Sequence, residues 1–312
     1  MPPNPPDAAA TAPAPRVCAV MVTYNPDSPL RENIQAVLGE VDRLIVVDNG
    51  SEPLARAAVA AACAAPHCEV IWNPENLGLA TALNLGIRRA MESGDYDWIA
   101  TFDDDSRVSP GFRHAMLEAY GSCPYRERVG LIGPHHVVLP KGAVADLPDR
   151  DALRPFRERV VVMQSASFLS SEALRRIGLL DDSFFIDYVD IEFCLRLRKH
   201  GLKVIEATRV RLIHRLGEPT AHTFLGKTTL VYNHSPVRRY YASRNRLRVY
   251  RRYLLSDPFW LCLDAWAWFK QVIKLLLFEK NRRRKLACIA QGVWDALRGR
   301  SGMYRDRHAS SS

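Results

Sequence analysis

From Arg16 onward, short apolar, β-branched runs alternate with segments of helical spacing. VCAVMVT (17–23), RLIVVD (43–48), EVIWN (69–73) and DWIATF (97–102) read as strands. Between them, residues 30–40, an Ala-rich stretch through Ala64, and residues 78–91 read as helices, the last with Asn76 placed as its N-cap. Nearly continuous apolar strands alternating with helices predict an α/β fold whose mostly parallel sheet is covered on both faces. Ligands of such sheets bind beyond the C-terminal strand ends. Small polar groups gather there: Thr23, Tyr24 and Asn25; Asp48, Asn49, Gly50 and Ser51; Asn73, Glu75, Asn76 and Gly78; then the acids after the fourth strand.

After about residue 108 the alternation weakens. VGLIGP (129–134) and VVVMQSASFL (160–169) read as further strands, and 137–159 as a loop rich in proline and charge. The second half of 183–201 has helical spacing and stops at Gly201. A β-like run, Val210–Ile213, ends in His214.

The chemistry concentrates in WIATFDDDS (98–106). Asp103, Asp104 and Asp105 repel one another, and a hard divalent cation such as Mg²⁺ or Mn²⁺ compensates them while sharing its oxygen ligands with a diphosphate. An acidic turn after a buried strand is the plainer alternative. Asp187, Asp190 and Glu192 surround the start of the later helix. The helix dipole accounts equally well for Glu192, but no simple cap needs acids at both 187 and 190, which favours a functional Asp190. A lone histidine is more often structural. His214 becomes a metal ligand only if the chain folds back to the triplet.

The 312 residues, 47% apolar and 25% charged, have the composition of a globular protein. The net charge of +9 is concentrated after Arg238 and points to an anionic partner there. Seven cysteines, an odd number without a CxxC pair, read as reduced thiols of a cytosolic protein. The Pro/Ala-rich start lacks the basic and apolar regions of a signal peptide, so 1–15 reads as a disordered leader. Phe259–Phe278 is long enough to span a membrane but is interrupted by Asp264, Lys270, Gln271 and Lys274, which make it amphipathic with a wide apolar face. Arg282, Arg283, Arg284 and Lys285 follow, so 256–285 reads as a membrane-interface helix, with a packed or dimer helix as the alternative. RRYYASRNRLRVYRRY (238–253) interleaves aromatics with arginines as some single-strand nucleic-acid binders do. It carries no recognised binding module, and its spacing also fits a helix beside an acceptor cleft.

Taken in order, VTYN, VVDNGS, NPENLGLATALNLGI, FDDDS, FIDYVDIEFCLRLRKHG and LIHRLGE resemble glycosyltransferase family 2, and most of all its rhamnosyltransferase branch. The resemblance runs from Val17 to the C-terminus and includes 235–253 and GVWDALRGRSG (292–302). Asp104 departs from the branch, which often has Gln there. The resemblance implies a GT-A fold over 16–235, a C-terminal helical region over 236–312, and an inverting transferase using a nucleotide-sugar donor. It places Thr23, Asn25, Asp48 and Asn76 around the base and ribose, and Asp103 and Asp104 on the donor side. Asp103, Asp105 and His214 are its metal ligands, with Mg²⁺ or Mn²⁺ as cofactor. Asp190 is its general base, with Asp187 and Glu192 as acceptor-side candidates. The expected donor is dTDP-L-rhamnose, with UDP-hexose or UDP-galactofuranose as alternatives. The expected acceptor is a lipid-linked glycan at the cytoplasmic face of the membrane, for a peripheral protein compatible with a homo-oligomer. A non-catalytic binding protein for nucleotide sugars or nucleic acid is the rival class.

Overall fold

Every residue of the first strand except Val22 is fully buried, and alternate side chains serve two separate cores. Cys18 and Val20 pack to one side of the sheet; Val17, Ala19 and Met21 pack to the other. This double burial explains the continuous apolar run. The computed structural model describes residues 13–27, 29–138, 154–214, 220–224 and 227–304. Most of the expected leader therefore lies outside the described residues.

Strands β1 (Val17–Thr23), β2 (Arg43–Asp48), β3 (Cys68–Trp72) and β4 (Trp98–Asp103) pair in parallel. Helices α1 (Leu30–Leu38), α2 (Pro53–Ala62) and α3 (Leu79–Ser93) connect them. After α4 (Phe112–Gly121) come β5 (Val129–Val138), β6 (Phe156–Arg159), β7 (Ser167–Ser170), α5 (Ser171–Ile177), α6 (Val189–Lys199) and β8 (Lys203–His214). The eight strands lie in the order β3-β2-β1-β4-β7-β5-β8-β6. β7 is antiparallel to β4 and β5, and β6 to β8. Two reversals restore the direction, so β1 to β5 and β8 all end at one edge of the sheet.

Three local expectations need correction. Of 160–169 only the last residues form a strand. Before it Ala166 is left-handed (φ +59°), and the Gln164 carbonyl accepts from the Thr101 hydroxyl and the Ser167 amide, which turns the chain. Within 137–159, β6 forms because Arg157 and Arg159 both reach the buried Glu206 of β8. α3 is capped by Gly78 at φ +88°, not by Asn76. Gly78 is required: a Cβ there would lie 2.7 Å from the Phe185 carbonyl oxygen.

A hairpin of β9 (Thr220–Phe224) and β10 (Lys227–Val231) leads to α7 (Pro236–Tyr253), α8 (Pro258–Phe278) and α9 (Arg282–Leu297). Ser235 caps α7 through the Arg238 amide, with Pro236 in the first turn. Much of α7 faces inward despite its polarity. Tyr240 donates to Asp295 at 2.9 Å, Arg246 to Asp264 at 2.8 Å, and Arg252 to Asp181 at 2.8 Å. Tyr240, Tyr241 and Tyr253 are buried, so they present no faces on which bases could stack.

α8 turns Asp264 inward, while Lys270 and Gln271 of the same polar arc are exposed. Asp264 accepts hydrogen bonds from Tyr188, Tyr250 and Arg246, while Phe259, Leu263, Trp266, Phe269, Ile273 and Leu277 are exposed. The basic cluster expected at 282–285 is split. Lys285 is buried, ion-paired with Glu279 at 2.8 Å and bonded to Asn233 at 2.6 Å, whereas Arg283 faces solvent.

Candidate active site

Beyond the C-terminal strand ends lies a cleft of about 680 Å³. β4 contributes Asp103 to one wall, with Asp104 and Asp105 in the turn that follows it. The turn before α6 and its first residues contribute Asp187 and Asp190. Arg238, Arg239 and Arg246 of α7, with Asp264 and Gln271 of α8, form the wall from the C-terminal helices. Residues more than 80 positions apart thus share one cavity.

Ser106 and Ser165 hold the acidic turn. Their hydroxyls lie 2.5 Å apart, and the Asp103 amide donates to the Ser106 hydroxyl. Asn33 of α1 donates to the Asp104 carbonyl at 2.8 Å. Burial, then the charges of Asp105 and Asp190, push the Asp103 carboxyl up to about 6. Burial and its two neighbouring carboxylates push Asp104 up to about 7. The cluster is short of positive charge, and its oxygen donors suit a hard cation. Among the described residues, no group of three His, Cys, Asp or Glu side chains could hold a metal ion by itself. His214 ends β8 opposite Val138, at the same sheet edge as the triplet, but its side chain lies outside the described residues.

Asp190 accepts from the Ile191 amide at 2.8 Å and from the Gln164 amide. Burial, opposed by the Ile191 bond and reinforced by Asp187, holds its carboxyl at about 6. A carboxylate poised there can accept a proton near neutral pH. Asp187 is bonded to Arg238 at 3.2 Å, and burial raises its carboxyl.

The remaining expected residues fall into two groups. Thr23, Asn25, Asp48 and Asn76 stand at the strand ends but are not among the residues lining the cleft. Thr23 donates to Asp48 at 3.2 Å, Ser51 links Asp48 to Asn25, and Asn76 accepts from Asn49 at 3.0 Å. From this edge Val22, Tyr24 and Leu79 reach the cleft. Glu192 does not join the site, which corrects its reading as an acceptor-side acid. It is fully buried, and its carboxylate is held by Arg196 at 3.0 Å, Arg252 at 2.9 Å and Tyr253 at 2.7 Å.

Gln164 and His234 escape a reading of the sequence, whereas Arg238 and Arg246 belong to the segment whose spacing fits a helix beside an acceptor cleft, without being singled out within it. The polar pair Gln164–Ser165 inside an otherwise apolar run was the available signal. The side-chain nitrogen of Gln164 and one carboxylate oxygen of Asp187 are buried without a partner. Burial and the neighbouring arginines push His234 down to about 4, so it is neutral at physiological pH.

Residues 18–125 match the sequence profile of glycosyl transferase family 2. The likeness to that family lies in this segment, about a third of the chain. That segment holds β1 to β4 and the acidic turn, while Asp190 and the C-terminal helices follow it. The dTDP-rhamnosyl transferase RfbF of Shigella flexneri is 28% identical over 252 residues, covering 76% of this chain and 80% of that protein. The galactofuranosyltransferase GlfT1 of Mycolicibacterium smegmatis is 27% identical over 271 residues, covering 78% and 83%. A crystal structure of GalNAc-T7 with UDP, GalNAc and Mn²⁺ superposes with a TM-score of 0.58 at 14% identity, over 79% of this chain and 49% of that one. The shared architecture is GT-A-like, an α/β fold, and this chain also has its C-terminal helices.

Proposed function

We propose that the protein is an inverting transferase moving L-rhamnose from dTDP-L-rhamnose onto a hydroxyl of a glycan acceptor in cell-surface polysaccharide synthesis. The observation that carries the transfer chemistry is the cleft itself, with Asp103 and Asp105 on one wall and Asp190 on another. Asp103 and Asp105 would hold Mg²⁺ or Mn²⁺, with diphosphate oxygens and His214 as further ligands. When bound, the cation supplies charge stabilisation for the departing diphosphate. Asp190 takes the proton of the acceptor hydroxyl as the new bond forms. One base opposite the leaving group gives a single displacement, and the anomeric centre inverts.

The choice of rhamnose rests on the likeness to RfbF, and the likeness to GlfT1 supports galactofuranose as the second reading. A panel of nucleotide sugars decides between them by hydrolysis and thermal stabilisation with Mg²⁺ or Mn²⁺. Faster turnover of a UDP-sugar than of dTDP-L-rhamnose refutes the donor.

We further propose that 256–285 rests on the cytoplasmic surface of the membrane, where a lipid-linked acceptor would lie. Support comes from the outward apolar face of α8 and the nearby exposed Lys280 and Arg283. Among the described residues no helix is long and apolar enough to cross a membrane. A second copy of the chain on the same face is the competing occupant.

A further inference from the structure

Asp190 follows an unusual piece of backbone. Asp187 and Tyr188 both have positive φ, +63° and +68°, a conformation non-glycine residues keep only where their surroundings impose it. Tyr188 is also the residue before α6, so its conformation sets where the helix starts and where Asp190 points.

The imposing groups come from the C-terminal helices. Asn245 of α7 is wholly buried, and its Nδ2 donates to the carbonyls of both Ile186 (2.8 Å) and Asp187 (2.9 Å). Its Oδ1 accepts from Arg244 at 3.0 Å, which fixes which end of the amide faces the turn. On the other side the Tyr188 hydroxyl donates to Asp264 of α8 at 2.9 Å, and Arg246 lies over the Tyr188 ring while bonding the same carboxylate. Successive carbonyls of an extended chain point apart. One amide can hold both only when Asp187 is turned.

We infer that Asn245 is a positioning residue: its amide locks the left-handed pair at 187–188 and thereby fixes the Asp190 carboxylate in the cleft. This rests on Asp190 being the base. The Arg/Tyr-rich segment 238–253 then frames the active site.

The test compares Asn245→Leu, which keeps the volume and removes the donors, with Tyr188→Phe and Asp190→Asn. The readouts are kcat for transfer, donor KM, donor affinity by calorimetry, and thermal unfolding. Misplacing a catalytic group by about 1 Å can cost roughly 10²-fold, so Asn245→Leu should lose about 10- to 100-fold in kcat. Donor KM and affinity should stay within about twofold, because the lost bonds touch the turn that carries the base and not the donor side. Tyr188→Phe should show the same split to a smaller extent. A folded Asn245→Leu enzyme with wild-type kcat, or one losing kcat and donor binding together, overturns the inference. If Asn245→Leu does not fold, Tyr188→Phe decides: wild-type kcat there overturns it, and a kcat-only loss supports it. Wild-type transfer by Asp190→Asn refutes the base, and the positioning role with it. Loss in Asp190→Asn beside an unaffected Asn245→Leu refutes positioning alone.

Discussion

Glu192→Gln separates a structural acid from a chemical one. The side chain has no exposed surface and neutralises two arginines at once, Arg196 at 3.0 Å and Arg252 at 2.9 Å, while accepting from Tyr253. Gln keeps the shape and removes the charge. Breaking a buried ion pair from one side costs about 3–5 kcal/mol. Here the loss is partly relieved. Arg252 is 44% exposed and retains Asp181 at 2.8 Å, and Arg196 retains the carbonyls of Ile177 and Leu179. The expected loss is therefore about 2–3 kcal/mol, somewhat below that range. For a chain of this size it lowers the thermal midpoint by roughly 3–5 °C. Calorimetric unfolding measures the midpoint, and transfer assays well below it measure kcat per folded enzyme, which should be unchanged. A wild-type midpoint with a collapsed kcat would refute the reasoning and return Glu192 to the chemistry.

Asp190→Asn should slow transfer by roughly 10² to 10⁴ with little change in donor affinity. Because only the deprotonated carboxylate accepts a proton, and the carboxyl sits at about 6, wild-type kcat should fall as pH drops through about 6. A pH–rate profile without that acidic limb contradicts the assignment. Chelation should abolish transfer and Mg²⁺ or Mn²⁺ should restore it, while Asp105→Ala should weaken metal-dependent nucleotide binding. Full activity after chelation would remove the metal from the mechanism. Replacing Lys280 and Arg283 with Gln should weaken binding to anionic liposomes by about 30-fold at low salt, at about 1 kcal/mol per charge. Donor hydrolysis should be unaffected, and wild-type protein that ignores such liposomes supports a packed or dimeric α8.

The first four strands and the acidic turn were legible because double burial writes an unbroken apolar run and a strand end interrupts it with acids. Direction of packing was not legible. Asp264, Lys270, Gln271 and Lys274 define a polar arc on any helical wheel, but nothing local says that Asp264 points at Tyr188 rather than water. For the same reason Lys285 read as part of a surface cluster when its partner, Glu279, lies six positions earlier in the turn before α9. Glu192 and Asp190 share a helical turn but face different neighbours, because one of the two arginines meeting Glu192, Arg252, comes from α7, 60 residues away. Gln164 was hidden by a left-handed Ala166, which no pattern of apolar residues encodes.

The grip of α7 on the turn before Asp190 bears on how such enzymes can be recombined. A chimera cut between β10 and α7, pairing this catalytic sheet with a foreign tail, would inherit both aspartate walls and lose the amide that orients one of them. The same graft would succeed only if the incoming helices carried a donor at the position of Asn245 and an acid facing Tyr188. The tail and the 185–190 turn therefore behave as one heritable unit, although 55 residues of chain separate Asp190 from Asn245. Exchanging tails among relatives without loss of turnover would have to move them together.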